Sequence, residues 1–206
     1  MPGNICTIFW DNSNIFVTAK DEARDREGAT AGRDLRIHFQ NLLDLARAGR
    51  TIHRAFGVGS QPPELQAVWD RLRTSGVSLE LYERGQDSGH EQALDQALQV
   101  HMLRATLDGP PNTAVLLTGD GAGFHNGIGF HADLERMHKH GWAIEVISWE
   151  RACHPRLKSW AEAVGTFVRL EDHYDSVTFL EKLRRQTSVK RRPISPFPPI
   201  LPGTHK

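Results

Sequence analysis

Acidic and amide side chains directly follow an apolar run near the start of the chain. In CTIFWDNSNIF, apolar residues continue to Trp10, and Asp11, Asn12 and Asn14 follow before the chain becomes apolar again. Another acid, Asp120, ends the most apolar stretch of the chain, NTAVLLTGD. Carboxylate and amide oxygens are the ligands that hard divalent cations such as Mg²⁺ and Mn²⁺ prefer. Such a cation can bind a phosphodiester, orient water and stabilise charge on a leaving oxygen.

Two further acids lie in the clearest helical pattern of the chain, HEQALDQALQVHMLRATLDG at 90–109. Glu91 and Asp95 are four residues apart, so they share a helix face, where two like charges repel. A cation between them and the strand-end acids would reverse that repulsion. The alternative is structural, because acids near a helix start favour the helix dipole and an Asp behind a strand often caps the next helix.

The elements that must position these acids alternate between short apolar runs and amphipathic stretches. Continuous apolar strands separated by helices are typical of a parallel sheet covered on both faces. We therefore predict an α/β fold of three layers, with a central, mostly parallel sheet of five or six strands. The predicted strands are 5–10, 51–59, 77–83, 112–120, 142–149 and a short sixth at 166–170. The predicted helices are 33–49, 62–76, 90–109, 129–141 and 174–185.

The strand order decides whether Asp11 and Asp120 meet. In open parallel sheets, ligands bind beyond the carboxyl ends of the strands, where the strand order reverses. An order of 3-2-1-4-5 would make the first and fourth strands neighbours at that point. The two carboxylates would then face one crevice.

Composition limits the possible functions. The 206 residues suit one domain, and 25 Lys and Arg balance 25 Asp and Glu, so a nucleic acid would have to bind through a local basic patch. No apolar run approaches the roughly 18 residues of a membrane span, and the two cysteines form no disulfide framework. We expect a cytoplasmic protein with no membrane partner. Residues 1–185 are predicted to form the domain, and 186–206, rich in proline and basic, a disordered tail.

Four segments, taken in order, resemble a known family: FWDNSNIF, EQALDQAL, VLLTGDG and GFHADLERMHKHGWAIEVISW. They are similar to the NYN domain of the PIN-like nuclease superfamily, over roughly residues 4–183. Asp11 and Asn14 match its first motif, Asp95 its helical acid, and Thr118 with Asp120 its Thr-Gly-Asp motif.

The resemblance implies a PIN-like fold and cleavage of RNA that depends on Mg²⁺ or Mn²⁺. Asp11, Asp95 and Asp120 would be the catalytic metal ligands, with Glu91 in support. The predicted RNA contacts are Asn12, Asn14, Thr118, Gly121, Arg33 and Arg36. The two arginines belong to a basic group that also contains Lys20, but interleaved acids give this predicted charged loop a mixed sign, which weakens a phosphate footprint.

One position departs from the family pattern, which continues Gly-Asp-x-Asp-Phe. Here the run is GDGAGFHNGIGF. Either Ala122 stands where the second acid would fall, or residues 121–129 are an insertion and Phe130 takes the place of the family's Phe. In both cases the expected last acid is absent. Five glycines lie within residues 119–129, and this loop is expected at the mouth of the site. The alternative to a nuclease is a catalytically degenerate NYN domain that binds RNA or protein. The sequence leaves open whether the chain forms a homodimer.

Overall fold

The computed structural model describes residues 4–61, 70, 73–74, 77–83, 89–118, 127–181, 192 and 194, and the side chains of all these except 59–61, 77–83 and 89–95. The strands are β1 (Ile5–Asp11), β2 (Leu35–Ile37), β3 (Thr51–Gln61), β4 (Val77–Glu83), β5 (Thr113–Leu117), β6 (Ala143–Ser148), β7 (Thr166–Arg169) and β8 (Thr178–Leu180). The α-helices are α1 (Asn12–Glu27), α2 (Ala31–Asp34), α3 (Phe39–Arg47), α4 (Gly89–Asp108), α5 (Phe130–Lys139), α6 (Pro155–Val164) and α7 (Tyr174–Val177), and a 3-10 helix covers Leu170–His173. No helix in these ranges is long and apolar enough to cross a membrane.

Six parallel strands form the central sheet in the order β4-β3-β1-β5-β6-β7. The predicted order of the first five strands is confirmed, and the short sixth strand pairs with β6 at the edge. Every residue of β5 and of β6 is buried, which explains why these strands read as continuous apolar runs. The predicted three-layer α/β fold is therefore correct.

Alternate residues of β1 and of β5 enter two separate cores. On one side of the sheet, Trp10 of β1 packs in the same cluster as Leu42 of α3 and Ile15 of α1. On the other side, Phe9 packs in a cluster with residues of α4, α5 and α6, among them Leu98 and Leu134. Burying each such large side chain contributes about 1.5–3 kcal/mol, so the packing of the sheet against both helical layers stabilises the fold.

A small antiparallel pair, β2 with β8, corrects two helix predictions. Residues 35–37 were expected inside the helix 33–49, and 178–180 inside the helix 174–185, but these segments pair with each other. Leu35 and Ile37 are buried and Arg36 between them is not, which is the alternation expected of a strand. Helix α3 begins only at Phe39. The His38 ring caps this start by accepting from the backbone N–H of Asn41 at 3.3 Å.

Helices α1 and α6 occupy stretches for which no helix was predicted. The expected charged loop after Asp11 is wrong, because this stretch forms α1. Its charged side chains pair with one another along the helix and with Arg151. Arg26 donates to Glu22 at 3.1 Å one turn away, and Arg151 reaches the other oxygen of Glu22 at 3.2 Å. The predicted helix 62–76 is described only at residues 70, 73 and 74, which are helical, and residues 119–126 lie outside the described chain.

Glu145 of β6 lies fully buried between two arginines. Arg50 donates to both of its carboxylate oxygens, at 2.9 and 2.7 Å, and Arg192 donates to Oε2 at 2.5 Å. Both guanidinium groups also donate to the Ala46 carbonyl in the last turn of α3, at 3.0 and 2.8 Å, where a helix end needs donors. Arg192, which belongs to the segment expected to be a disordered tail, therefore has a side chain buried in the domain. The domain boundary before 186 stays a prediction.

The charge of Glu145 is stabilised by this arrangement. Burial alone would raise the pKa of Glu145, but the hydrogen bond from Arg50 and the charges of Arg192 and Arg50 outweigh burial and hold that pKa below its usual value. A carboxyl with a lowered pKa in the folded state stabilises the fold above its unfolded pKa and loses that contribution in acid.

Replacing Arg192 by alanine should lower the thermal stability of the protein. The change removes hydrogen bonds to Glu145 and to two α3 carbonyls, each bond to a charged group being worth about 1.5–3 kcal/mol, while Arg50 still pairs with Glu145. For a chain of this length, about 1 kcal/mol shifts the melting temperature by about 2–4 °C. Thermal unfolding by circular dichroism measures the effect.

Arg36→Ala is the matched control, because it breaks an exposed pair with Glu181, of a kind worth about 0–1 kcal/mol. Equal melting temperatures for the two variants would show that Arg192 does not anchor the chain.

Candidate active site

Asp11 ends β1 and caps α1. Its Oδ1 accepts from the backbone N–H of Asn14 at 3.4 Å, and its Oδ2 accepts from the Asn14 side-chain amide at 2.6 Å. Asp11 as a whole is only 3% exposed. The capping role weighed in the sequence is therefore present, and the spacing of three residues lets Asn14 hold the carboxylate in one orientation.

Thr118 lies beside Asp11 at the carboxyl edge of the sheet. The paired residues Trp10 and Leu117 come just before them on the adjacent strands β1 and β5. Phe9 and Leu116 share the core under α4 and α5, so strand alternation places Asp11 and Thr118 on that same side. Asp120 follows Thr118 by two residues and lies outside the described chain.

Helix α4 brings the positions of the two helical acids to the same edge. It connects the parallel strands β4 and β5, so it begins at the carboxyl edge of the sheet and runs back across its face. Asp95 is three positions before Leu98, which is fully buried in the core beside Phe9. The side chains of Glu91 and Asp95 are outside the description. The described side chains alone contain no group of three metal-ligating residues that could hold an ion.

Buried oxygen atoms near this edge have no described hydrogen-bond partner. They are Asn12 Oδ1, Thr118 Oγ1 and Asp133 Oδ2. Buried polar atoms nearly always have a partner, in the protein or in an ordered water or ion. Oxygen donors that await a partner at the end of a parallel sheet fit a site for a hard cation and its water molecules.

Asp133, in the first turn of α5, is a residue that the sequence interpretation missed. It is 3% exposed, and its Oδ1 accepts from Arg136 Nη1 at 2.7 Å. Burial raises the pKa of Asp133, and the charge and hydrogen bond of Arg136 oppose that shift only in part. A signal was present in the sequence, since Asp133 is one position from the apolar Leu134 and three from Phe130 in GFHADL.

The structure does not place the two arginines with the strand-end oxygens. Arg33 and Arg36 belong to α2 and β2, in the layer that covers the opposite face of the sheet. Arg36 already donates to Glu181 at 2.7 Å and to the Leu35 carbonyl at 2.8 Å. Gly121 lies outside the described chain. A role for these three residues in binding RNA stays a prediction.

The family model of the NYN domain matches residues 6–171, which is most of the chain. The chain belongs to the NYN domain family. The NYN domain places it in the PIN-like, nuclease-type superfamily, as the sequence motifs predicted.

The NYN domain described above has the fold of a solved protein from Vibrio parahaemolyticus, VPA0982, itself of unknown function. The two are 16% identical with a TM-score of 0.57, and the match covers 83% of this chain and 95% of that one. At this identity the likeness shows the fold alone. A search of curated proteins finds no match.

Two substitutions of Asp11 separate the contribution of its capping hydrogen bond to stability from that of its charge. In metal-free buffer, Asp11→Ala should lower the stability by about 1 kcal/mol, because α1 loses its cap, whereas Asp11→Asn keeps an oxygen for the Asn14 N–H and should change stability little. Chemical unfolding of both variants with chelator present measures the difference. Equal losses would show that the charge of Asp11, rather than its cap, stabilises the fold.

Proposed function

We propose that this NYN domain is a metal-dependent endoribonuclease whose acidic site lies at the carboxyl ends of β1 and β5. The observation that carries the proposal is the adjacency of these strands in a member of this family. Because the strands are adjacent, the Asp11 motif and the Thr118-Gly119-Asp120 motif begin at neighbouring positions on one face of the sheet.

The proposed ligands are Asp11, Asp95 and Asp120, with Glu91 in support. Their oxygens suit Mg²⁺ or Mn²⁺, and the unpartnered oxygens of Asn12 and Thr118 favour a hydrated cation nearby. A bound cation supplies Lewis-acid stabilisation of the phosphodiester and makes water a stronger nucleophile at neutral pH.

The protein's own groups would fix the geometry of the reaction. Asn14 holds the Asp11 carboxylate through the 2.6 Å bond, so Asp11 needs little reorientation to act. The buried Thr118 hydroxyl can donate to a phosphate oxygen or to water. Hydrolysis adds a water oxygen to phosphorus and breaks one phosphorus–oxygen bond of the RNA backbone. The departing oxygen takes up the proton that the water loses.

A binding module with a degenerate site is the second candidate. The absence of the last acid of the family pattern favours it, and the three retained acids oppose it. In that case the domain would hold RNA or a protein without cleaving it.

Asp120→Asn should abolish metal-dependent cleavage while leaving the fold intact. The change keeps the shape and removes one anion, and because such an anion contributes several kcal/mol through the metal, we expect a loss of about a hundredfold or more. Purified protein is incubated with single-stranded and structured RNAs in Mg²⁺, Mn²⁺ or chelator, and products are resolved on gels.

Asp108→Asn, at the far end of α4, is the matched control and should cleave like the parent. Chelator should stop cleavage. If the parent binds these RNAs but leaves them uncut with either metal, the binding module replaces the nuclease.

A further inference from the structure

We infer that Asp133 supplies the carboxylate that the motif lacks at Ala122, so that the site draws its last acid from helix α5 instead of the loop. This inference rests on the proposed function. It concerns a residue of helix α5 that lies thirteen positions beyond Asp120, outside the Gly-Asp-x-Asp-Phe pattern.

The packing of α5 shows which way Asp133 faces. Helix α5 contacts α4 on one flank, and on the other its His131 ring lies 5.0 Å from the ring of Trp160 in α6. Asp133 follows His131 by two positions, about 200° around the helix, so it lies on the flank toward α4. Both α4 and α5 begin at the carboxyl edge of the sheet, so Asp133 lies at the level of Asp11 and Thr118.

The surroundings of Asp133 leave one oxygen available. Arg136 binds Oδ1 and also donates to the Gly127 carbonyl at 2.5 Å, which ties α5 to the end of the glycine loop. Oδ2 is buried and makes no hydrogen bond to a described residue. Among the described residues, an arginine thus orients one carboxylate oxygen and no group occupies the other, as in a metal-binding carboxylate held by an outer-shell partner.

The ion pair with Arg136 accounts for Oδ1 of this carboxylate but not for the burial of Oδ2. The residue that caps α5 is Gly129, so Asp133 is not the cap, and an acid that only favours the helix dipole gains nothing from burial. A cation beside Oδ2 would compensate the burial of the charge.

The test compares Asp133→Asn with Glu135→Gln, a neutralisation of an acid two positions away on the same helix. Mn²⁺ binding is measured by isothermal titration calorimetry and by the shift in melting temperature that Mn²⁺ causes. For Asp133→Asn we expect a dissociation constant for Mn²⁺ at least about tenfold larger than that of the parent, and a smaller Mn²⁺-induced shift in melting temperature. Glu135→Gln should match the parent.

Without metal, Asp133→Asn should be at least as stable as the parent. A carboxyl whose pKa is raised in the folded protein destabilises the fold when it is ionised, and asparagine removes that charge. Asp133→Ser, smaller and neutral, gives the same comparison of Mn²⁺ affinity if the asparagine variant does not fold.

The outcomes separate the two proposals. Parental Mn²⁺ affinity in Asp133→Asn, with weakened affinity in Asp120→Asn, overturns the role of Asp133 and leaves the nuclease proposal standing. A parent that binds no Mn²⁺ overturns both.

Discussion

The parallel pairing of β1 with β5 is the constraint on which the site depends. The two strands are far apart in sequence, and the chain returns to β5 only after β3, β4 and the crossing by α4. Because the strands are parallel, the helices that follow β1, β4 and β5, namely α1, α4 and α5, all begin at one edge of the sheet. The N-termini of helices carry partial positive charge, so this edge can tolerate several carboxylates and attract a phosphate.

Two buried acids of the protein, Glu145 and Asp133, differ in how fully arginines compensate their charge. Glu145 is fully compensated, since Arg50 and Arg192 bind both of its oxygens and also cap the end of α3. Asp133 has one arginine on one oxygen and no described partner on the other. Leaving a buried charge partly compensated is costly, and this difference is the reason we infer a ligand for Asp133 and none for Glu145.

Local pattern was sufficient for the sheet and insufficient for contacts between distant segments. The apolar runs predicted the strands and the parallel α/β class, because burial on both faces leaves a strong signal, and the doubly wound topology supplied the strand order. The strand at 35–37 was hidden, since its helical spacing of Leu35, Phe39 and Leu42 is real and only pairing with 178–180 overrides it. Arg192 was missed for the same reason, because nothing near it in sequence indicates a buried partner. Asp11 was found from its place behind a strand, whereas for Asp133 the sequence held only the weaker signal of its apolar neighbours Phe130 and Leu134, and the packing of α5 shows that it is buried.

A crystal of the protein soaked in Mn²⁺ tests the central claim most directly, through the anomalous scattering of the ion. The account predicts a peak at the carboxyl ends of β1 and β5, within coordination distance of carboxylate oxygens from Asp11 and Asp120, with Asp95 and Asp133 completing the set. A fully soaked crystal with no peak at that edge, or with Asp11 and Asp120 turned to opposite faces of the sheet, would contradict it.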